Sequence, residues 1–119
     1  MSKEISYASG ASEKPLLGDT IGNKFDEIAS KYPEREAVVS IHQNIRFTYD
    51  ELAKEVNTLA KALISSGFKK GERVGIWSSN NVEWLLTQYA AAKAGVILVT
   101  INPAYRSHEL DYVLGQSGC

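Results

Sequence analysis

The chain has 119 residues with 13 basic and 14 acidic side chains, a formal charge of −1. At 44% hydrophobic and 23% charged it has an ordinary globular make-up, which excludes a collagen, a coiled-coil rod and a mostly disordered chain. The length suits one domain or a piece of a larger one, and the near-zero charge gives no reason to expect nucleic acid or an anionic membrane as the main partner.

One cysteine, Cys119, stands at the last position, so an internal disulfide framework is excluded. No apolar run is long enough for a transmembrane helix. Early acids such as Glu4 and Glu13, and a first arginine only at Arg35, argue against a signal or mitochondrial transit segment. The expected location is the cytoplasm.

Residues 1–19 are rich in Ser, Gly, Ala and charge and predict a flexible arm. Residues 20–119 read as the folded part. Ile21, Phe25, Ile28 and Tyr32 recur at helical spacing, with Thr20 as N-cap and Pro33 as stop. Residues 37–41 and 45–49 predict a hairpin, with Asn44 tolerating a left-handed turn. Thr48-Tyr49-Asp50-Glu51 is a capping box. It opens a helix with Leu52, Val56, Leu59 and Leu63 on one stripe, closed by Gly67.

A strand follows over residues 73–77. Asn80 with Glu83 repeats the capping pattern before a helix over 81–94. That helix is apolar over most of its surface and must be covered on nearly all sides. Gly95 closes it. Residues 96–101 form a continuous apolar strand of the kind found inside a parallel sheet. Ser107 is the expected cap of a last helix carrying Leu110, Val113 and Leu114. The alternation predicts an α/β layer, with 73–77 and 96–101 parallel and joined by a right-handed crossover.

The chemistry-bearing residues are few. His42 and His108 lie far apart in sequence without metal-ligand spacing, and Cys119 has no positioned base. No metal site and no catalytic residue are assigned. The stretch Ser65-Ser66-Gly67-Phe68-Lys69-Lys70-Gly71 looks like a phosphate loop but follows a helix and precedes a strand, the reverse of a Walker loop. It reads as a helix cap and turn. Trp77 and Trp84 read as core. Two loops are better placed for a ligand, 78–81 and 102–106. Both follow predicted parallel strands and precede helix N-termini, which favour anions. Asn102, Tyr105 and Arg106 are the candidate ligand-proximal residues, with a ring to stack and a charge to pair. The plainer alternative is that these Ser and Asn residues only cap helices and that Arg106 is solvated.

Several segments together resemble one family. Phe47-Thr48-Tyr49-Asp50-Glu51-Leu52 resembles the T-Y-x-E-L segment of adenylate-forming (AMP-binding) enzymes. Gly71-Glu72-Arg73-Val74 is similar to their G-D-x-V step, and 77–85 with Ala90-Ala91-Ala92-Lys93-Ala94-Gly95 to their strand, N-x-x-E-W/F turn and A-x-x-x-A-G helix. Asn102-Pro103-Ala104-Tyr105, followed by Glu109-Leu110 and Val113-Leu114, resembles their N-P-x-Y…E-L…L element. The match runs from about residue 21 to 119 and is nearest to the medium- and long-chain fatty-acyl-CoA synthetases.

The resemblance implies an N-terminal part of a large N-terminal domain. The whole enzyme would activate a fatty acid or other carboxylate with ATP and Mg²⁺ to an acyl-adenylate, then pass the acyl group to coenzyme A. In the family the phosphate loop, adenine and ribose contacts, hinge and catalytic lysine come later than these segments, so none is carried over. The piece is expected to be inactive alone and to bind no cofactor itself. The segment 116–119 resembles a helix end before another buried strand, with Cys119 entering it. The alternative is an autonomous small α/β binding or dimerisation module without catalysis. A piece of a larger domain is expected to self-associate through exposed apolar surface, a self-sufficient binding module to be monomeric.

Overall fold

The computed structural model describes residues 10, 11 and 13–119. Most of the predicted arm, residues 1–9 and 12, lies outside that range. Residues 13–19 carry no helix or strand, and Leu16 and Leu17 are exposed.

Four helices and four strands follow in the order α1 (Ile21–Lys31), β1 (Glu36–Ser40), β2 (Ile45–Thr48), α2 (Tyr49–Ser65), β3 (Arg73–Trp77), α3 (Val82–Ala94), β4 (Ile97–Ile101) and α4 (Ser107–Ser117). The class is α/β, as expected. The strands make two separate two-stranded sheets, an antiparallel β1–β2 hairpin and a parallel β3–β4 pair. In the parallel pair Val74 faces Leu98 and Ile76 faces Thr100. The hairpin register shifts between Glu36 and Val38, a bulge that no residue type announces.

Helix α2 begins where its capping box predicts. Thr48 Oγ1 accepts from the Glu51 N–H at 3.3 Å, and Glu51 Oε2 accepts from the Thr48 N–H at 2.8 Å. It buries Leu52, Val56 and Ala60. Beyond Ser66, Gly67 takes φ +98°, a left-handed conformation that costs glycine little and a side-chain residue much more. The phosphate-loop look-alike is therefore a helix exit. Its Lys69 N–H is already held by Glu72 Oε2 at 2.8 Å.

Helix α1 turns out rotated from its sequence reading. Its buried face is Gly22, Phe25 and Ala29, while Ile21 is 60% exposed. Gly22 explains the rotation. A Cβ there would lie 3.2 Å from Lys93 Cγ, so the missing side chain lets α3 approach closely. Lys93 Nζ then pairs with Asp26 across the same seam. The main core joins Phe25, Leu52 and Val56, packed by Val38, Phe47, Leu86 and Tyr89. The Phe25 and Tyr89 rings meet with centroids 4.6 Å apart, a separation favourable for tilted aromatic pairs. Only Glu83 of α3 is exposed, in line with its nearly all-round apolar sequence.

The β3–β4 sheet is covered unevenly. Side chains of parallel partners share a face, and alternate residues of β3 split between α3 and the opposite side. Val74 and Ile76 are half-buried, whereas Trp77 is 49% exposed and Ile97 48%. The core role predicted for Trp77 does not hold, because its strand parity turns it away from α3. On that outer face lies α4, which buries none of its residues. A Cβ on Gly75 would come within 3.8 Å of Leu114 and 3.4 Å of Cys119 Sγ, so the end of the chain lies over this part of the sheet.

Candidate functional site

The two parallel strands end side by side, with Trp77 opposite Ile101, so the loops that follow them are neighbours. Together they enclose an open cleft of about 670 Å³ whose lining includes Ser78, Asn80, Trp84, Asn102, Tyr105 and Val113. This is the carboxyl end of a parallel pair, where ligands of open α/β sheets bind. The whole lining carries no charged side chain; it offers hydroxyls, amides and aromatic rings.

Of the three predicted residues, Asn102 and Tyr105 line this cleft. Asn102 Oδ1 accepts from the Ala104 N–H at 3.0 Å, and its carbonyl accepts from the Tyr105 N–H at 3.0 Å. Its side-chain oxygen thus shapes the loop that presents Tyr105. Arg106 does not line the cleft. It is the N-cap position of α4, and its backbone N–H donates to Glu109 Oε2 at 3.1 Å. Ser107 is the first helical residue and not the cap. A carboxylate reaching back from Glu109 serves a backbone donor, so the cap position needs no hydroxyl.

The other loop is also shifted by one residue from its reading. Asn81, not Asn80, caps α3, and its Oδ1 accepts from the Trp84 N–H at 2.8 Å. The Val82 N–H donates to Gln43 Oε1 at 2.8 Å. Protein acceptors therefore occupy donors that an anion at this helix end would need. In loop 78–81 Asn81 serves as a cap, while Ser78 and Asn80 line the cleft. Trp84, read as core, is half-buried and forms a wall of the cleft. Gln43, read as part of a turn, reaches this region. Neither placement has a signature in spacing, since both depend on which loop meets which.

No three His, Cys, Asp or Glu side chains converge to hold a metal ion among the described residues. His42 lies at the hairpin tip, with Nδ1 3.4 Å from Ser40 Oγ, and His108 is exposed in the first turn of α4. The cleft's uncharged lining and the occupied amides at α3 do not fit a triphosphate with its Mg²⁺. No helix of the described residues is long and apolar enough to cross a membrane. The titrations displaced from their ordinary ranges belong to exposed pairs. Lys54 is raised by its hydrogen bond to Asp50, and Glu27 is lowered by its hydrogen bond to Lys24. Glu83 is lowered, first by the hydrogen bond from Gln43 and then by its own backbone N–H.

The profile of the AMP-binding enzymes matches residues 25–119. The chain belongs to the AMP-binding enzyme family. Among curated relatives, this AMP-binding family chain is 45% identical over 115 residues to the mitochondrial medium-chain acyl-CoA ligase ACSF2 of Mus musculus, covering 97% of the chain and 19% of the ligase. The human ligase of the same name is 44% identical over the same length. Among solved structures, the N-terminal domain of FACL13 from Mycobacterium tuberculosis superposes with a TM-score of 0.81 at 32% identity, covering 84% of this chain and 26% of that one. The chain thus spans about a fifth of the length of the curated relatives it matches, 19%, and it has the fold of the N-terminal region of adenylate-forming enzymes.

Proposed function

We propose that this chain is a scaffold-forming part of an ATP-dependent fatty-acyl-CoA ligase and does not adenylate a substrate by itself. The observation that carries the reading is the 45% identity to a medium-chain acyl-CoA ligase along 97% of the chain. In the whole enzyme the carboxylate of a fatty acid attacks the α-phosphorus of ATP and releases pyrophosphate. The thiol of coenzyme A then displaces AMP to give the thioester. Stabilising the charge of phosphoryl-type transition states needs positioned cations and donors, and the cleft's lining supplies none that is charged. ATP, Mg²⁺ and coenzyme A are therefore assigned to other parts of the enzyme. Asn102 and Tyr105 are proposed to stand close to the bound ligand as neutral walls, with Arg106 outside.

Trp77, Ile97 and Leu114 present apolar surface on one side of the parallel sheet. In the whole enzyme we assign that face to packing against further parts of the domain. A piece of a larger domain is expected to self-associate through such a surface, whereas the second reading, an autonomous binding module, is expected to be monomeric. Light scattering over a concentration series separates a monomer from a dimer. For location we keep the cytoplasm, although the ligases named above carry a mitochondrial designation; cell fractionation decides it.

The test of function is exchange of labelled pyrophosphate into ATP with medium-chain fatty acids. It is run on this chain and on the polypeptide of its complete reading frame. Exchange is expected only from the second. Exchange by this chain alone, or by neither, contradicts the proposal.

A further inference from the structure

The tip of the β1–β2 hairpin hydrogen-bonds to the start of α3 through Gln43. Asn44, at φ 53°, closes the tip, and its N–H donates to the Ile41 carbonyl at 3.1 Å. Beside it, Gln43 Oε1 accepts from Ser40 Oγ at 2.8 Å and from the Val82 N–H at 2.8 Å. Gln43 Nε2 donates to Glu83 Oε2 at 2.8 Å. The orientation of this amide is dictated by its partners, because a backbone N–H only donates and a carboxylate only accepts.

Two features make the arrangement more than a surface contact. Val82 is 3% exposed, and its N–H is among the helix-start donors that a helix cannot satisfy from within. Asn81, the next residue back, holds both sides of the junction. Its Oδ1 caps Trp84, and its Nδ2 donates to Ser78 Oγ at 3.0 Å. Ser78 and Trp84 are both cleft walls. Fixing the start of α3 therefore fixes the position from which Asn81 holds those walls. The hydrogen bond from Gln43 also accounts for the lowered titration of Glu83.

We infer that Gln43 is a positioning residue, which pins the start of α3 and, through Asn81, sets the 78–81 wall of the cleft. The cleft is shaped from a segment 39 residues away in sequence. This depends on the geometry alone and stands whether or not the acyl-ligase reading does.

Amide hydrogen exchange and backbone NMR shifts of the full chain test it. In Gln43→Ala the Val82 amide is expected to exchange at least about tenfold faster, the local-opening signature. The Ser78 and Ser79 resonances move, while the Leu52 and Val56 amides in α2 stay within about twofold. A merely structural loss of stability would raise all of them together. Gln43→Glu keeps an acceptor for Val82 but loses the donor and sets a second carboxylate beside Glu83. Val82 protection is then retained, and the Glu83 carboxyl titrates higher. Unchanged Val82 exchange in Gln43→Ala, or a rise shared with α2, overturns the inference. Should Gln43→Ala fail to fold, loss of Val82 protection in Gln43→Glu overturns it instead.

Discussion

The two halves of the chain solve the same packing problem to different degrees. In the first, α1, the hairpin, α2 and α3 close around Phe25, Leu52 and Val56. In the second, β3 and β4 rest one face on α3 and leave much of the other to α4, a helix with no buried residue. Tyr112 on α4 is 62% exposed. The apolar patterns of the two halves look alike in sequence. What separates them is the number of layers: an element is buried only when something stands on each of its apolar sides. The cleft lies in the second half, where strand ends and loops are least constrained by the core.

The contrast can be broken by substitution. Leu52→Ala removes a side chain from the closed core and should cost about 2–5 kcal/mol, read as a loss of unfolding free energy in urea. Thr48→Ala removes one half of the capping box at the same helix and should cost about 1 kcal/mol. Trp77→Gln, on the open face, should change stability by no more than about 0.5 kcal/mol while lowering the binding of a hydrophobic dye. A Trp77→Gln loss as large as that of Leu52→Ala would erase the distinction between the halves.

The smallest effect is in acid. Glu83 titrates below its ordinary value of about 4.3 because Gln43 donates to the carboxylate. A depressed folded-state pKa stabilises the native state above the unfolded value, and this is lost as the pH falls through the folded one. The link between hairpin and α3 should therefore loosen only below the normal carboxylate range. Comparing acid titrations of the parent chain and Glu83→Gln checks it: the variant should lack that increment.

Local chemistry was legible from sequence, and tertiary choice was not. Thr48 with Glu51, Gly67 and Gly95 announced helix boundaries, because capping and left-handed backbone are decided within a few residues. The strand at 73–77 was equally plain. Asn80 and Asn81 were both chemically able to cap; Asn81 takes the role, with the Val82 donor held by Gln43, 39 residues away. Ile21 looked like a core residue until Gly22 allowed α3 to approach on its side. Trp77 looked like core until its strand parity turned it to the face that α4 covers only in part. For the cleft, Asn102 and Tyr105 were legible as strand-end residues. The exclusion of Arg106 and the inclusion of Trp84 follow from how two loops meet.

Residue-resolved amide exchange across the whole chain measures the contrast most directly. Amides of α2 between Leu52 and Ala60 should exchange only near the limit set by global unfolding, and those of α4 between Leu110 and Leu114 faster by about two orders of magnitude or more. Equal protection in the two helices would contradict the division into a closed half and an open one.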